Sequence, residues 1–173
     1  MAKAESKATS DDFVVVDIDA DHVTATAFNM LFVVWRFHTG HAAFRRAVYW
    51  ARTLTETFLE GIGVQHILEP TALAPDAPTR RVFVELLQLP GIAHYSIVYT
   101  GAGFRAASIR AVVVGAYALA RPQFPHTVHA DLTRAATWHA VEQRRIGHSE
   151  GQAMIERVSE GVRSLHRSRY PAG

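Results

Sequence analysis

Residues 97–138 constrain the fold more than any other part of the chain. They begin with a β-branched strand at 97–99, pass through a glycine turn at 101–103, and continue as an apolar helix at about 104–120. A loop with two prolines then leads to a short strand at 127–129 and to another helix. A strand, helix, strand and helix in this order predict a parallel sheet that is covered by helices.

The rest of the chain extends this unit to the order β-β-α-β-α-β-α-β-α. The two extended segments at 13–18 and 23–37 are rich in β-branched and aromatic residues and predict an opening hairpin. Apolar residues spaced by three and four predict further helices at 41–60, 76–89 and 149–166. We therefore expect an α/β fold with a mixed, mostly parallel five-stranded sheet, flanking helices and an added C-terminal helix. The expected organisation is a disordered lead at 1–11, an α/β domain at 12–145, and a C-terminal helix and tail at 146–173.

Composition narrows the class of protein. A chain of 173 residues suits one domain with a substantial core. The absence of cysteine excludes disulfides and thiolate metal sites. The net charge of +2 comes from scattered basic residues, so no nucleic acid partner is expected. The apolar runs are too short to span a bilayer and the first residues are polar, so we expect no membrane partner and a cytoplasmic location.

A glycine turn and a helix start are the predicted binding elements. The segment from Gly101 through Gly103 and Arg105 fits the pattern G-x-G-x-x-A, which either cradles phosphate on backbone N–H groups or is simply a tight turn. Asp76 is the predicted N-cap of the second helix, followed by Thr79 and Arg80. Because the ends of neighbouring parallel strands converge, these elements predict one crevice for a partner or ligand.

No catalytic or metal-binding residue is predicted. Asp17, Asp19 and Asp21 alternate as in a calcium loop, but the glycine and glutamate that such a loop needs are missing, and a strand edge also explains them. His38 and His41 are three residues apart, yet no third ligand is placed near them. No serine, histidine and acid follow a nucleophile-elbow pattern. We therefore expect no metal and no cofactor.

The helix at 104–120 is apolar on more than one side, so something is expected to cover it. Either the terminal helix packs over it or a second subunit does, and the sequence leaves both open. We predict self-association as a dimer. The predicted interface residues are Val113, Tyr117, Ile155, Val158 and Val162.

The order of elements resembles the STAS family, named for sulfate transporters and anti-sigma-factor antagonists, in its single-domain bacterial type. The residues that carry the resemblance are the strand at 64–68, the loop leading to Thr79, Arg80 and Arg81, and the segment 122–138 with Pro125, Ala135 and Trp138. It covers roughly residues 13–143. Other small α/β folds share such element orders.

The resemblance implies a non-enzymatic regulatory or scaffolding module in signalling, with a protein partner such as a kinase or an anti-sigma-like regulator. Some family members are switched by phosphorylation of a serine or threonine where the third strand runs into its helix, and Thr79 is the nearest hydroxyl here. The family's serine and glycine are missing, so Thr79 is either a phosphorylation site or an exposed residue of the first helical turn. The alternative function is a small-molecule or anion-binding protein, or an enzyme, that uses the crevice between the loops at 69–80 and 101–105.

Overall fold

The structure, a computed structural model, describes residues 9–10 and 12–171, and all side chains in that range except those of residues 9, 10, 104 and 105. Its centre is a seven-stranded sheet in which the strands lie side by side in chain order. The strands are β1 (Thr9–Ser10), β2 (Phe13–Ile18), β3 (His22–Ala27), β4 (Met30–Trp35), β5 (Ile62–Leu68), β6 (Ile92–Tyr99) and β7 (His126–His129). Strands β1 to β4 pair antiparallel, and β4 to β7 pair parallel.

Five helices cover the two faces of this sheet. They are α1 (His41–Thr57), α2 (Ala77–Leu87), α3 (Gly103–Ala120), α4 (Leu132–Arg145) and α5 (Gln152–Arg169). The first three helices connect the parallel strands and pack against one face in the order α1, α2, α3. The last two helices pack together on the other face, where α5 crosses β2, β3 and β4 and α4 lies on β6 and β7.

Strand β4 shows why this sequence needs helices on both faces. All six of its residues are buried, and they alternate between the two cores. Leu31, Val33 and Trp35 pack under α1 to α3, whereas Phe32 and Val34 pack under α4 and α5. A strand that is apolar on both sides is typical of the interior of a covered parallel sheet.

The α/β class is confirmed, but the predicted strand count of five is wrong. The segment 23–37 holds two antiparallel strands, β3 and β4, which are joined by a tight turn at Phe28 and Asn29. Phe28 has a left-handed backbone (φ 44°). The buried Asn29 side chain donates to the carbonyl oxygen of Gly61 and accepts from Gln143. This network holds the turn against β5 and α4. Asparagine is depleted in strands, so Asn29 itself indicates a bend, but its distant partners leave no local signal.

Two further expectations are corrected at the ends of the chain. Thr9–Ser10, within the predicted disordered lead, forms β1 and pairs with Phe13 and Val14, whereas residues 1–8 and 11 lie outside the described residues. The terminal helix α5 packs within its own chain, on the sheet face opposite α3. It therefore does not cover α3.

Candidate functional site

The start of α2 is built as predicted at Asp76 but not at Thr79. Asp76 is the N-cap, and its Oδ1 accepts a hydrogen bond of 2.8 Å from the backbone N–H of Thr79. Arg80 is exposed. The side chain of Thr79 has no exposed surface, because it packs inward from the first helical turn. A kinase cannot reach a buried hydroxyl, so neither description of Thr79, as a phosphorylation site or as an exposed residue, holds in this structure.

The glycine turn follows β6 at the same edge of the sheet where α2 follows β5. Gly103 has a left-handed backbone (φ 74°), which glycine adopts without strain. A Cβ at Gly101 would lie 2.3 Å from the hydroxyl oxygen of Tyr99, so the glycine makes room for that side chain. This geometry accounts for both glycines as a tight turn. The backbone of Arg105 lies in α3, but its side chain is outside the described set, so the prediction that it binds a partner stays open.

A concave surface lies between α2 and α3, and we call it the α2–α3 groove. It has a volume of about 790 Å³. Its walls are mainly apolar, with two arginines on the α2 side, and include Arg80, Arg81, Val84, Ala111, Gly115 and Leu119. Of the predicted site residues, Arg80 contributes to this groove, whereas Gly101 and Gly103 do not.

The outward side of α3 remains apolar and uncovered within the chain. Leu119, at the groove, is 74% exposed, and Val114, further round the helix, is 64% exposed. These exposed apolar side chains make the outward side of α3 a candidate contact surface.

The predicted dimer interface needs correction. Val113 packs in the core beneath α1 to α3, and Ile155, Val158 and Val162 pack in the core beneath α4 and α5. The three α5 residues have no exposed surface, and Val113 has only 4%. Tyr117 is half-buried and packs on His126. The apolar spacing in α3 and α5 therefore reflects burial within the chain, and self-association through other residues stays a prediction.

A small buried cavity lies between the sheet and α1 to α3. Its volume is about 30 Å³, which is room for about two water molecules. Trp35, His66 and Tyr95 line it, and Val112 lines both this cavity and the α2–α3 groove. Only one thin layer of side chain therefore separates the inner cavity from the outer groove.

The protonation of His66 follows from its neighbour. The indole N–H of Trp35 donates to its Nδ1 over 3.3 Å, so Nδ1 carries no proton. Burial lowers the pKa of His66 to about 3, so the ring is neutral at pH 7 and its single proton is on Nε2. Neither this Nε2 nor the Tyr95 hydroxyl has a hydrogen-bond partner among the described protein atoms. The site therefore offers two buried, neutral polar groups.

A serine and two histidines form a second buried network beneath α4. The Oγ of Ser96 lies 2.7 Å from Nε2 of His139, whose Nδ1 lies 2.8 Å from Nδ1 of His94. This is the connectivity of a nucleophile, a base and an orienting group. All three side chains have no exposed surface, so no substrate reaches them. Burial lowers the pKa of His94 to about 4, and burial also holds the pKa of His139 well below its usual value. The network holds α4 on β6 as neutral hydrogen bonds.

The alternating aspartates near the start of the chain surround a buried histidine. Nε2 of His22 lies 2.8 Å from Asp17 and its Nδ1 lies 2.8 Å from Asp19. Burial opposes the charge on this ring, but the two carboxylates outweigh burial and raise the pKa of His22. Arg46 pairs with both carboxylates. Asp17 and Asp19 are therefore hydrogen-bond and ion-pair partners of His22 and Arg46. Asp21 instead accepts a hydrogen bond from the backbone N–H of His38.

The sequence predicted only part of the α2–α3 groove. Arg81, Ala111, Gly115 and Leu119 were missed, because nothing local indicates which helices become neighbours. Gln65 and His66 are the two polar residues of a strand whose other residues are apolar or glycine, and this pair was a usable signal.

Comparisons of the chain with protein-family models, with curated proteins and with solved structures find no match. Within the described ranges, no cluster of three or more histidine, aspartate and glutamate side chains is arranged to hold a metal ion. The helices in the same ranges are too short or too polar to cross a membrane.

Proposed function

We propose that this protein is a non-enzymatic, cytoplasmic interaction module in signalling, similar in role to the STAS regulators, and that it binds a protein partner at the α2–α3 groove. The observation that carries the proposal is the apolar groove itself, with Leu119 74% exposed at its wall. A protein–protein contact needs such an apolar centre with a polar edge. Arg80 and Arg81 provide the polar edge.

The location agrees with the resemblance to the STAS family, because α2 begins where that family carries its regulatory residue. The buried Thr79 departs from the family pattern, so the proposal contains no phosphorylation switch at this residue. Regulation by a kinase or an anti-sigma-like partner would act through docking. A dimer remains part of the proposal, with an interface other than the buried residues predicted from the sequence.

The non-enzymatic role is supported by the complete burial of the network of Ser96, His139 and His94. Ser96 and His139 are sealed beneath α4, and an approaching substrate would have to displace that helix. The groove lies on the opposite face of the sheet, where its walls are mainly aliphatic.

The test is affinity capture with a matched pair of variants. Ala111→Gln with Leu119→Gln places two long polar side chains in the groove, at exposed positions that the fold does not depend on. Leu59→Gln changes a leucine after α1 that is even more exposed than Leu119 and serves as the control. We expect a partner that is retained by the wild type and by the Leu59 variant and lost by the groove variant. If every captured protein is retained by the groove variant, the proposed docking site is wrong.

A small-molecule binding protein is the second candidate function. It is favoured by the groove volume of about 790 Å³, which lies within the range of ligand pockets. Val112 separates this groove from the cavity beside His66 and Tyr95, so a ligand in the groove has polar groups close beneath it. Purification of the protein with a bound small molecule that the groove variant lacks would favour this function over protein docking.

A further inference from the structure

We infer that the partner of the α2–α3 groove is an amphipathic helix whose apolar side enters the groove and whose edges carry aspartate and glutamate. This inference rests on the proposed function and adds the chemistry of the partner. It is carried by the charge of the groove and by its shape.

The walls of the groove carry two arginines, and its α3 side carries no acidic side chain. No aspartate or glutamate occurs from residue 86 to residue 130, a segment that includes all of α3. Arg81 is exposed at the groove and forms no ion pair with a described residue. Arg80 is also exposed, and its charge interacts electrostatically with Asp76 at the start of the same helix. Glu85, the nearest acid on α2, pairs with Arg45 of α1 over 2.9 Å.

Unpaired arginines beside an apolar groove favour an acidic partner. Guanidinium groups bind carboxylates in a two-pronged geometry, and complementary charge at the edge of an interface selects partners and accelerates association. A second copy of this chain would bring the same arginines against one another, so a symmetric contact through this groove is disfavoured.

The shape of the groove favours a helix over a membrane surface. Ala111, Gly115 and Ala116 have short or absent side chains, which leave a concave channel between α2 and α3. A channel of this kind accepts the ridge of side chains along a helix, as in other helix-in-groove contacts. Membrane-surface helices instead present many large apolar residues, whereas among the described side chains of α3 the exposed large apolar ones are Val114 and Leu119.

The experiment selects peptides from a random display library on the purified full chain. We expect enrichment of sequences with apolar residues at helical spacing, flanked by aspartate and glutamate. The affinity of an enriched peptide, measured by fluorescence anisotropy, should fall by about tenfold or more in Arg80→Glu with Arg81→Glu, and should weaken as salt is raised. Arg144→Glu with Arg169→Glu is the control, because these exposed arginines lie on α4 and α5.

The outcomes separate this inference from the proposed function. One contrary outcome is a peptide that loses its binding in Ala111→Gln with Leu119→Gln, and so requires the groove, but carries no acidic residue. This outcome would overturn the inference and leave the proposed function standing. Failure to select any groove-dependent peptide would also overturn the inference. The affinity capture experiment would then test the proposed function independently. Binding of the wild type to phosphatidylglycerol vesicles, with loss in the Arg80 and Arg81 variant, would replace the acidic helix by a membrane surface.

Discussion

Replacement of His66 by glutamine should remove a defined part of the protein's sensitivity to acid. Burial lowers the pKa of His66 from 6.5 to about 3, so acid protonates the unfolded chain before the folded one. Stability is therefore lost as the pH falls below 6.5. Between about pH 7 and pH 5, one such histidine costs about 2 kcal/mol of unfolding free energy. Glutamine can still accept the indole hydrogen bond from Trp35, but it does not titrate.

The assay is urea unfolding of the wild type and of His66→Gln at several pH values, followed by circular dichroism. The relevant quantity is the difference between the two proteins. The wild-type curve also contains His94 and His139, which lose stability in the same direction, and His22, whose raised pKa acts in the opposite direction. The wild type should lose about 2 kcal/mol more than the variant over this range. His38→Gln, at an exposed position, is the control. Equal pH dependence in the wild type and the His66 variant would refute the reasoning.

Three further substitutions test other parts of the structure by urea unfolding at neutral pH. Tyr95→Phe should change stability by less than about 1 kcal/mol, because its hydroxyl has no protein partner. A larger loss would mean that the hydroxyl is bound to something else in the cavity. Ile155→Ala should cost about 2–5 kcal/mol, because Ile155 is fully buried between α5 and the sheet. A loss below about 1 kcal/mol would contradict the packing of α5 within its own chain. Gly63→Ala should cost about 1–3 kcal/mol or more, because the new Cβ would lie 2.3 Å from Cε1 of His94. Wild-type stability in this variant would show that His94 is placed differently.

The sequence was sufficient for the parallel half of the fold. Strand and helix periods from residue 41 onward matched the elements that form, and Asp76 caps α2 as its position before Pro78 suggested. These features depend on residues close together in the chain, so local patterns record them. The turn at Phe28 and Asn29 was not predicted as a strand break, because its stabilising partners, Gly61 and Gln143, are far away in sequence.

The site was harder to predict for the same physical reason. A helix that is apolar on several sides requires cover, but the pattern does not say which side is already covered. Val113 and Val162 were predicted as interface residues although each packs against the sheet of its own chain, whereas the exposed Leu119 was not. Which helices become neighbours depends on the strand order, and only the structure reveals that the strands lie in simple chain order.

Native mass spectrometry of the gently purified protein would test the central claim most directly. If the α2–α3 groove binds a protein, we expect the wild type to carry a protein partner and no small molecule, and the Ala111→Gln, Leu119→Gln variant to lose that partner. The Leu59→Gln control should retain it. A reproducible small-molecule adduct on the wild type, absent from the groove variant, would contradict the account and assign this surface to a ligand.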